Sequence, residues 1–285
     1  MLKIKETCIL KDDIYRLKEC SEKTLKLSLS DYDGYNKFSK EKFVFQKNHI
    51  APPEQVYFLG KNWKILNAPI AVGFGGTVSP TNDGFKMAIL LAQQTIKNEM
   101  KQKAFIVSGG VIGIDTASHL GALDEGGATI AVVANPVSYG LHPYVPTRSF
   151  LTNGILTNGG GIVSEYPQKD YQENYYGDRL LQRDRIITAL SDIFIAIECS
   201  ENSGTVDTAK RAKLQGKTVY TINWNNISKK WHIPKTSGCE QLISQNIAIP
   251  FPFEKVSGID DIKLIEQFQF LLNSFYKDLS KSKES

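Results

Sequence analysis

Ala104-Phe105-Ile106-Val107-Ser108-Gly109-Gly110-Val111-Ile112-Gly113-Ile114-Asp115 is the stretch that decides the fold. A continuous apolar run fits a strand covered on both faces. The glycines permit a tight turn, and a helical segment follows through Thr116-Ala117-Ser118-His119. Working outward, the same pattern recurs. Strand-like runs fall at 69–74, 104–108, 129–134, 161–165, 193–198 and 218–222, with helical segments at 83–100, 116–123, 147–157, 178–190 and 206–215. This alternation, in units of about 30 residues, predicts a doubly wound, mainly parallel α/β sheet. The flanks are simpler. A plausible helix at 12–20 reads as part of a small N-terminal appendage, and 55–60 reads as a short lead-in strand. Beyond the sheet lie a short helix at 238–245, an apolar segment at 247–253, an amphipathic helix at 262–279 and a charged tail expected to fray. The expected organisation is therefore 1–66, 67–250 and 251–285.

Glycine turns mark where a ligand would bind. Gly73-Phe74-Gly75-Gly76-Thr77, Ser108-Gly109-Gly110 and Ser203-Gly204-Thr205 each lie between an apolar strand and a helical segment. There backbone N–H groups can approach an anion and a helix N-terminus adds partial positive charge. Three such turns on one sheet predict a crevice for phosphates, carried by a nucleotide or by a nucleic-acid backbone. Asp115 is placed either as a helix cap or as a carboxylate that orients a ribose or base. The turn at Ser203 is not a Walker motif, since no GKS or GKT follows, and the turn at Gly73 departs from the dinucleotide fingerprint because its glycines are bunched.

Arg179, Arg183 and Arg185 read as the opening of the 178–190 helix. Positive charge there opposes the macrodipole, which predicts a compensating anion, and phosphate suits guanidinium geometry. The competing reading pairs one of them with Glu165 or Asp184 inside the fold. Glu165, at a strand's carboxyl end, is with Asp115 the candidate acid or base should the chain be an enzyme. Other basic groups, among them Lys229, Lys230 and Lys235, read as solvated surface or as nucleic-acid contacts. His119 reads as a packed or surface residue rather than a catalyst.

Bulk properties exclude more than they assert. The 285 residues carry a formal charge of +4, 41% hydrophobic and 22% charged residues, ordinary values for a soluble protein. No apolar run approaches the ~20 residues of a bilayer span. Cys8, Cys20, Cys199 and Cys239 are scattered, without metal-type pairing. A cytoplasmic location, no membrane association, no metal and no cofactor are expected.

Taken together, these stretches resemble the DNA-processing protein A (DprA, or Smf) family over residues 50 to 250. Ser108-Gly109 with Gly113-Ile114-Asp115, Ala117, His119 and Ala122-Leu123 resembles its "SGxxxGID…AH…AL" core. Ser164-Glu165-Tyr166-Pro167 matches "SEYP". Arg183-Asp184-Arg185-Ile186-Ile187 resembles "RNRII", Ser203-Gly204-Thr205 with Thr208-Ala209 resembles "SGsLxTA", and Gly238-Cys239-Glu240-Gln241-Leu242-Ile243 is similar to "GtNxLI". The resemblance implies a Rossmann-like domain that binds single-stranded DNA without catalysis, aids loading of the recombinase RecA and forms a homodimer. It implies phosphate contacts from the glycine turns and nearby basic residues. The family's Gly-Ser-Arg after the first strand is replaced here by Gly73-Phe74-Gly75-Gly76. Where the family has "YPxxN", this chain has His142-Pro143-Tyr144-Val145-Pro146, with Arg148 as a basic substitute and Phe74 or Tyr144 available to stack bases. Two other readings stay open: a nucleotide-binding sensor on the same scaffold, and a nucleotide N-glycosidic hydrolase using Glu165 or Asp115.

Overall fold

Alternation along the strands sets up two cores. In β3 (Ile70–Gly75), Ile70, Val72 and Phe74 point to one face and Ala71 to the other; in β7 (Ile193–Ala196), Ile193 and Ile195 oppose Phe194 and Ala196. Both faces are apolar, so both must be covered, and helices cover them. The computed structural model describes residues 25–28, 53, 55–61, 65–66, 68–97, 104–141, 147–166, 176–227 and 235–284. On one face lie α1 (Asn82–Ile96), α2 (Ile114–Asp124) and α7 (Ile262–Glu284), with α3 (Thr147–Thr157) against the β5–β6 end. The other face carries α4 (Tyr176–Leu190), α5 (Gly204–Leu214) and α6 (Ser237–Ser244).

The remaining strands are β1 (Leu25–Ser28), β2 (Gln55–Gly60), β4 (Ala104–Gly109), β5 (Thr129–Val132), β6 (Gly161–Ser164), β8 (Thr218–Ile222) and β9 (Ile249–Phe251). Together they form one sheet in the order β1-β2-β6-β5-β4-β3-β7-β8-β9. From β6 to β9 all neighbours are parallel, whereas β2 and β1 add antiparallel at the β6 edge. The order runs one way from β3 to β6 and the other way from β7 to β9. The topological switch point therefore lies between β3 and β7, where doubly wound sheets open a crevice at the carboxyl ends.

The α/β expectation holds, with local differences. β1 was not foreseen, and the expected helix at 12–20 lies outside the described residues. The tail expected to fray continues α7 through Glu284. Arg183 and Arg185 stand in the middle of α4, which already begins at Tyr176. The macrodipole argument for them therefore fails, since its influence fades after the first turn. Likewise Asp115 does not cap α2. Gly113 takes the N-cap position with φ 89°, a conformation that favours glycine.

At the amino end of the switch point, Asp192 Oδ2 accepts from Ala71 N at 2.7 Å, while Asp192 N donates to Ala71 O at 2.7 Å. Asp192→Ala leaves a buried backbone N–H without this acceptor, at about 1–3 kcal/mol. The expected result is a melting temperature several degrees lower, read by calorimetry, with ligand binding at the opposite end of the strands unchanged.

Candidate nucleic-acid interface

The carboxyl ends of β3 and β7 frame a cavity of about 340 Å³. Four segments line it: Phe74 to Val78 after β3, Val111 with Ile112 and Asp115 at the start of α2, Leu180 to Ile187 of α4, and Cys199 to Thr205 leading into α5. Ser203 caps α5, its Oγ accepting from Val206 N at 3.4 Å, so Gly204 and Thr205 form the helix's first turn at the cavity wall. Early N–H groups of a helix have no partner within it, which makes this wall suited to an anion. The floor is apolar, from Phe74, Ile187 and Phe194, and the mouth carries exposed Val78, Ile112 and Leu181.

The predicted site residues divide into two groups. Gly75, Gly76, Thr77, Asp115, Arg183, Ser203, Gly204 and Thr205 line the cavity together. Gly73, Ser108, Gly109 and Gly110 do not line it. Gly73 packs on Ser191 and Phe194, and Gly110 on Leu141 and Val133. Ser108 Oγ donates to Phe74 O at 2.8 Å. These residues were expected in the ligand site because a strand end followed by glycines looks alike whether it meets ligand or protein. Phe74 is 1% exposed and offers no free face for stacking. Tyr144 and the side chain of Arg148 lie outside the described residues.

The arginines turn inward. Arg183, only 4% exposed, donates through Nη1 to Val132 O at 2.5 Å and through Nε to Leu180 O at 3.3 Å. Its Nε lies 2.9 Å from Asp184 Oδ1 and its Nη2 3.7 Å from Asp115 Oδ2. Arg185, equally buried, grips Glu165 with both terminal nitrogens, at 2.6 and 2.5 Å, and donates to Gln182 O at 2.7 Å. The fold thus answers both guanidinium charges with its own carboxylates. Glu165 is committed to Arg185 and is not among the residues lining the cavity. His119 is fully buried, with Nε2 2.9 Å from Gly109 O and Nδ1 2.7 Å from Thr129 Oγ1, as a packed residue should be.

Asp184, read from the sequence as a partner for one arginine and not as a site residue, also lines the cavity. Burial pushes its carboxyl up to about 6, outweighing Arg183 and the Thr208 hydroxyl, which donates to Oδ2 at 2.9 Å. Cys199, at the cavity wall, has its Sγ 3.8 Å from Cys239 Sγ. Among the described residues no group of His, Cys, Asp and Glu could hold a metal ion.

Comparison with known proteins now decides the family. The model for DNA recombination-mediator protein A matches residues 35–259. The chain belongs to this family. It is 31% identical over 152 residues to DNA processing protein DprA of Streptococcus pneumoniae, covering 53% of this chain and 48% of that one. It is 27% identical over 184 residues to DprA of Bacillus subtilis, covering 65% and 58% respectively. The chain thus spans about half the length of these curated relatives. Among solved structures, DNA processing protein A from Helicobacter pylori, described for its single-stranded DNA binding mode, superposes with a TM-score of 0.62 at 26% identity. That match covers 83% of this chain and 92% of the other. DprA of S. pneumoniae superposes with a TM-score of 0.64 at 24% identity over 89% and 77%, a likeness of fold.

Two predictions follow from the arginine packing. A Cβ on Gly109 would overlap the Arg183 guanidinium, which four partners hold in place. Gly109→Ala is expected to lower the melting temperature by several degrees in the native chain and by much less in an Arg183→Ala background. A double-mutant cycle by urea unfolding reads this coupling. The second concerns Asp184. Its folded-state value lies above that of the unfolded chain, so the folded protein holds a proton between about pH 4 and 6 that the unfolded chain releases. Stability from this group therefore falls as pH rises through that window, by on the order of 3 kcal/mol in all. Asp184→Asn removes the titration, so its stability advantage should be near zero at pH 4 and grow towards pH 7. An advantage that stays flat across urea titrations at these pH values would refute the assignment.

Proposed function

We propose that this chain binds single-stranded DNA, without catalysis, as a recombination mediator of its family. One observation carries the reading: the family's fold brings the first turn of α5 and the Gly75–Gly76–Thr77 turn into one cavity at the switch point. Cavity size favours a single nucleotide unit at a time, since about 340 Å³ is at the small end of ligand sites. A phosphodiester group would rest on the N–H groups of Gly204 and Thr205, with Gly75, Gly76 and Thr77 opposite. Exposed Val78, Ile112 and Leu181 would cover base faces, taking the role first given to Phe74. Arg183 and Arg185 act as positioning residues that hold α4 and the Asp115 segment in place. The contributions of Gly73, Ser108, Gly109 and Gly110 are likewise indirect, through packing. Arg148, on α3, remains a proposed basic contact.

RecA as partner, a homodimeric state and a cytoplasmic location belong to the same reading. They rest on family membership, together with the finding that no helix among the described residues is long and apolar enough to cross a membrane. A nucleotide sensor is the second reading, favoured by the apolar floor next to the Asp115 carboxylate. The hydrolase reading ranks below both, because Glu165 is locked to Arg185 and Asp115 faces Arg183.

The test is a titration of labelled single- and double-stranded oligonucleotides at several salt concentrations, beside a thermal-shift screen of mononucleotides. Preference for the single strand, with affinity falling steeply with salt, is expected. Arg185→Ala should lower the melting temperature, since it leaves a half-buried Glu165 without its partner, and leave the salt slope unchanged. Stabilisation by one mononucleotide without strand binding would replace this function with the sensor.

A further inference from the structure

With Arg183 and Arg185 neutralised internally, the cavity needs another cation to meet a phosphate. Lys235 stands at its lip. It lies just before α6, and its Nζ donates to Ser79 O at 2.9 Å and to Thr77 Oγ1 at 3.3 Å. Thr77 itself lines the cavity. The start of α6 is fastened to the opposite lip, where Gly238 N donates to Cys199 O at 2.9 Å and Glu201 N to Ser237 Oγ at 3.1 Å. Lys235 therefore spans the β3–α1 turn and the loop leading into α5.

Its charge is unspent. Both of these partners are neutral, and among the described residues no carboxylate lies within 4 Å of its ammonium. Arg183, Arg185 and Arg211, by contrast, each hold a carboxylate. Glu198, the buried acid that feels the Lys235 charge, spends its oxygens on the Thr81 N–H and hydroxyl at 2.9 to 3.3 Å. A lysine held by neutral oxygens keeps its full charge while losing much of its freedom, so contacting an anion costs little further ordering.

We propose that Lys235 is the phosphate-contacting cation of this site, gripping a phosphodiester of a single strand that crosses the Thr77 lip. The proposal rests on the single-strand reading above. The experiment follows fluorescein-labelled oligothymidylate by anisotropy over a salt series, with wild type, Lys235→Ala and Lys235→Arg, each melted in parallel. Lys235→Ala should weaken binding about tenfold at low salt and reduce the salt slope by about 0.7, one phosphate's share for a single strand. Mixed-sequence oligonucleotides should show the same loss, and Lys235→Arg should restore the slope. If Lys235 is only a tie between α6 and the turn, Lys235→Ala lowers the melting temperature and leaves the slope intact, which overturns the proposal alone. A wild-type protein that binds no strand overturns both it and the function it rests on. A Lys235 effect seen with thymidine monophosphate but absent with the strand overturns the strand contact.

Discussion

The buried guanidinium of Arg183 is the constraint around which the site is organised. It projects from the middle of α4, passes over the end of β4 where Gly109 leaves room, and bonds to the Val132 carbonyl at the end of β5. On its way it meets Asp184 on its own helix and Asp115 on α2. One side chain thus ties the end of β5 to two helices from opposite faces of the sheet. Burying a charge is costly unless every donor finds an acceptor. Here the acceptors come from three separate elements, so the charge fixes their relative positions.

Electrostatics at the cavity follow from that choice. Two arginines that read as cationic in sequence add little net field, because Asp184, Asp115 and Glu165 answer them at close range. Attraction for an anion is left to oriented backbone groups of α5 and to Lys235. The Asp184 carboxyl is poorly solvated and holds its proton more tightly than a free aspartate. The site is thus closer to neutral than its residue list implies.

Much of the fold was legible in the sequence because strands buried on both faces leave few compositions open. Runs such as Ala104–Gly109 and Ile193–Ala196 have little alternative but the middle of a parallel sheet. The glycine turns were legible for the same local reason. What sequence could not show was direction. Spacing placed Arg179 and Arg183 on one face of a helix, but only the packing of α4 over β4 and β5 reveals what that face meets. The helix read from Asp178 starts two residues earlier, at Tyr176, and Arg183 and Arg185 lie more than a turn inside either start. Lys235 was one of several surface lysines until the docking of α6 carried it to the Thr77 turn, a contact between positions 158 apart.

The switch point also fixes when the cavity can come into being. β3 is paired with β7, and the Ala71–Asp192 hydrogen bond closes across 121 positions. A chain emerging from the ribosome can assemble β3 to β6 first, with one side of β3 bare. That side is an apolar strand edge, the kind that recruits other strands when left uncovered. Long-range closure of this kind is slow, because loop entropy is lost before the contact rewards it. Nascent chains therefore pass through an interval in which half the sheet exists and the crevice does not. Arrival of β7 covers this edge of β3 and creates the cavity in the same step.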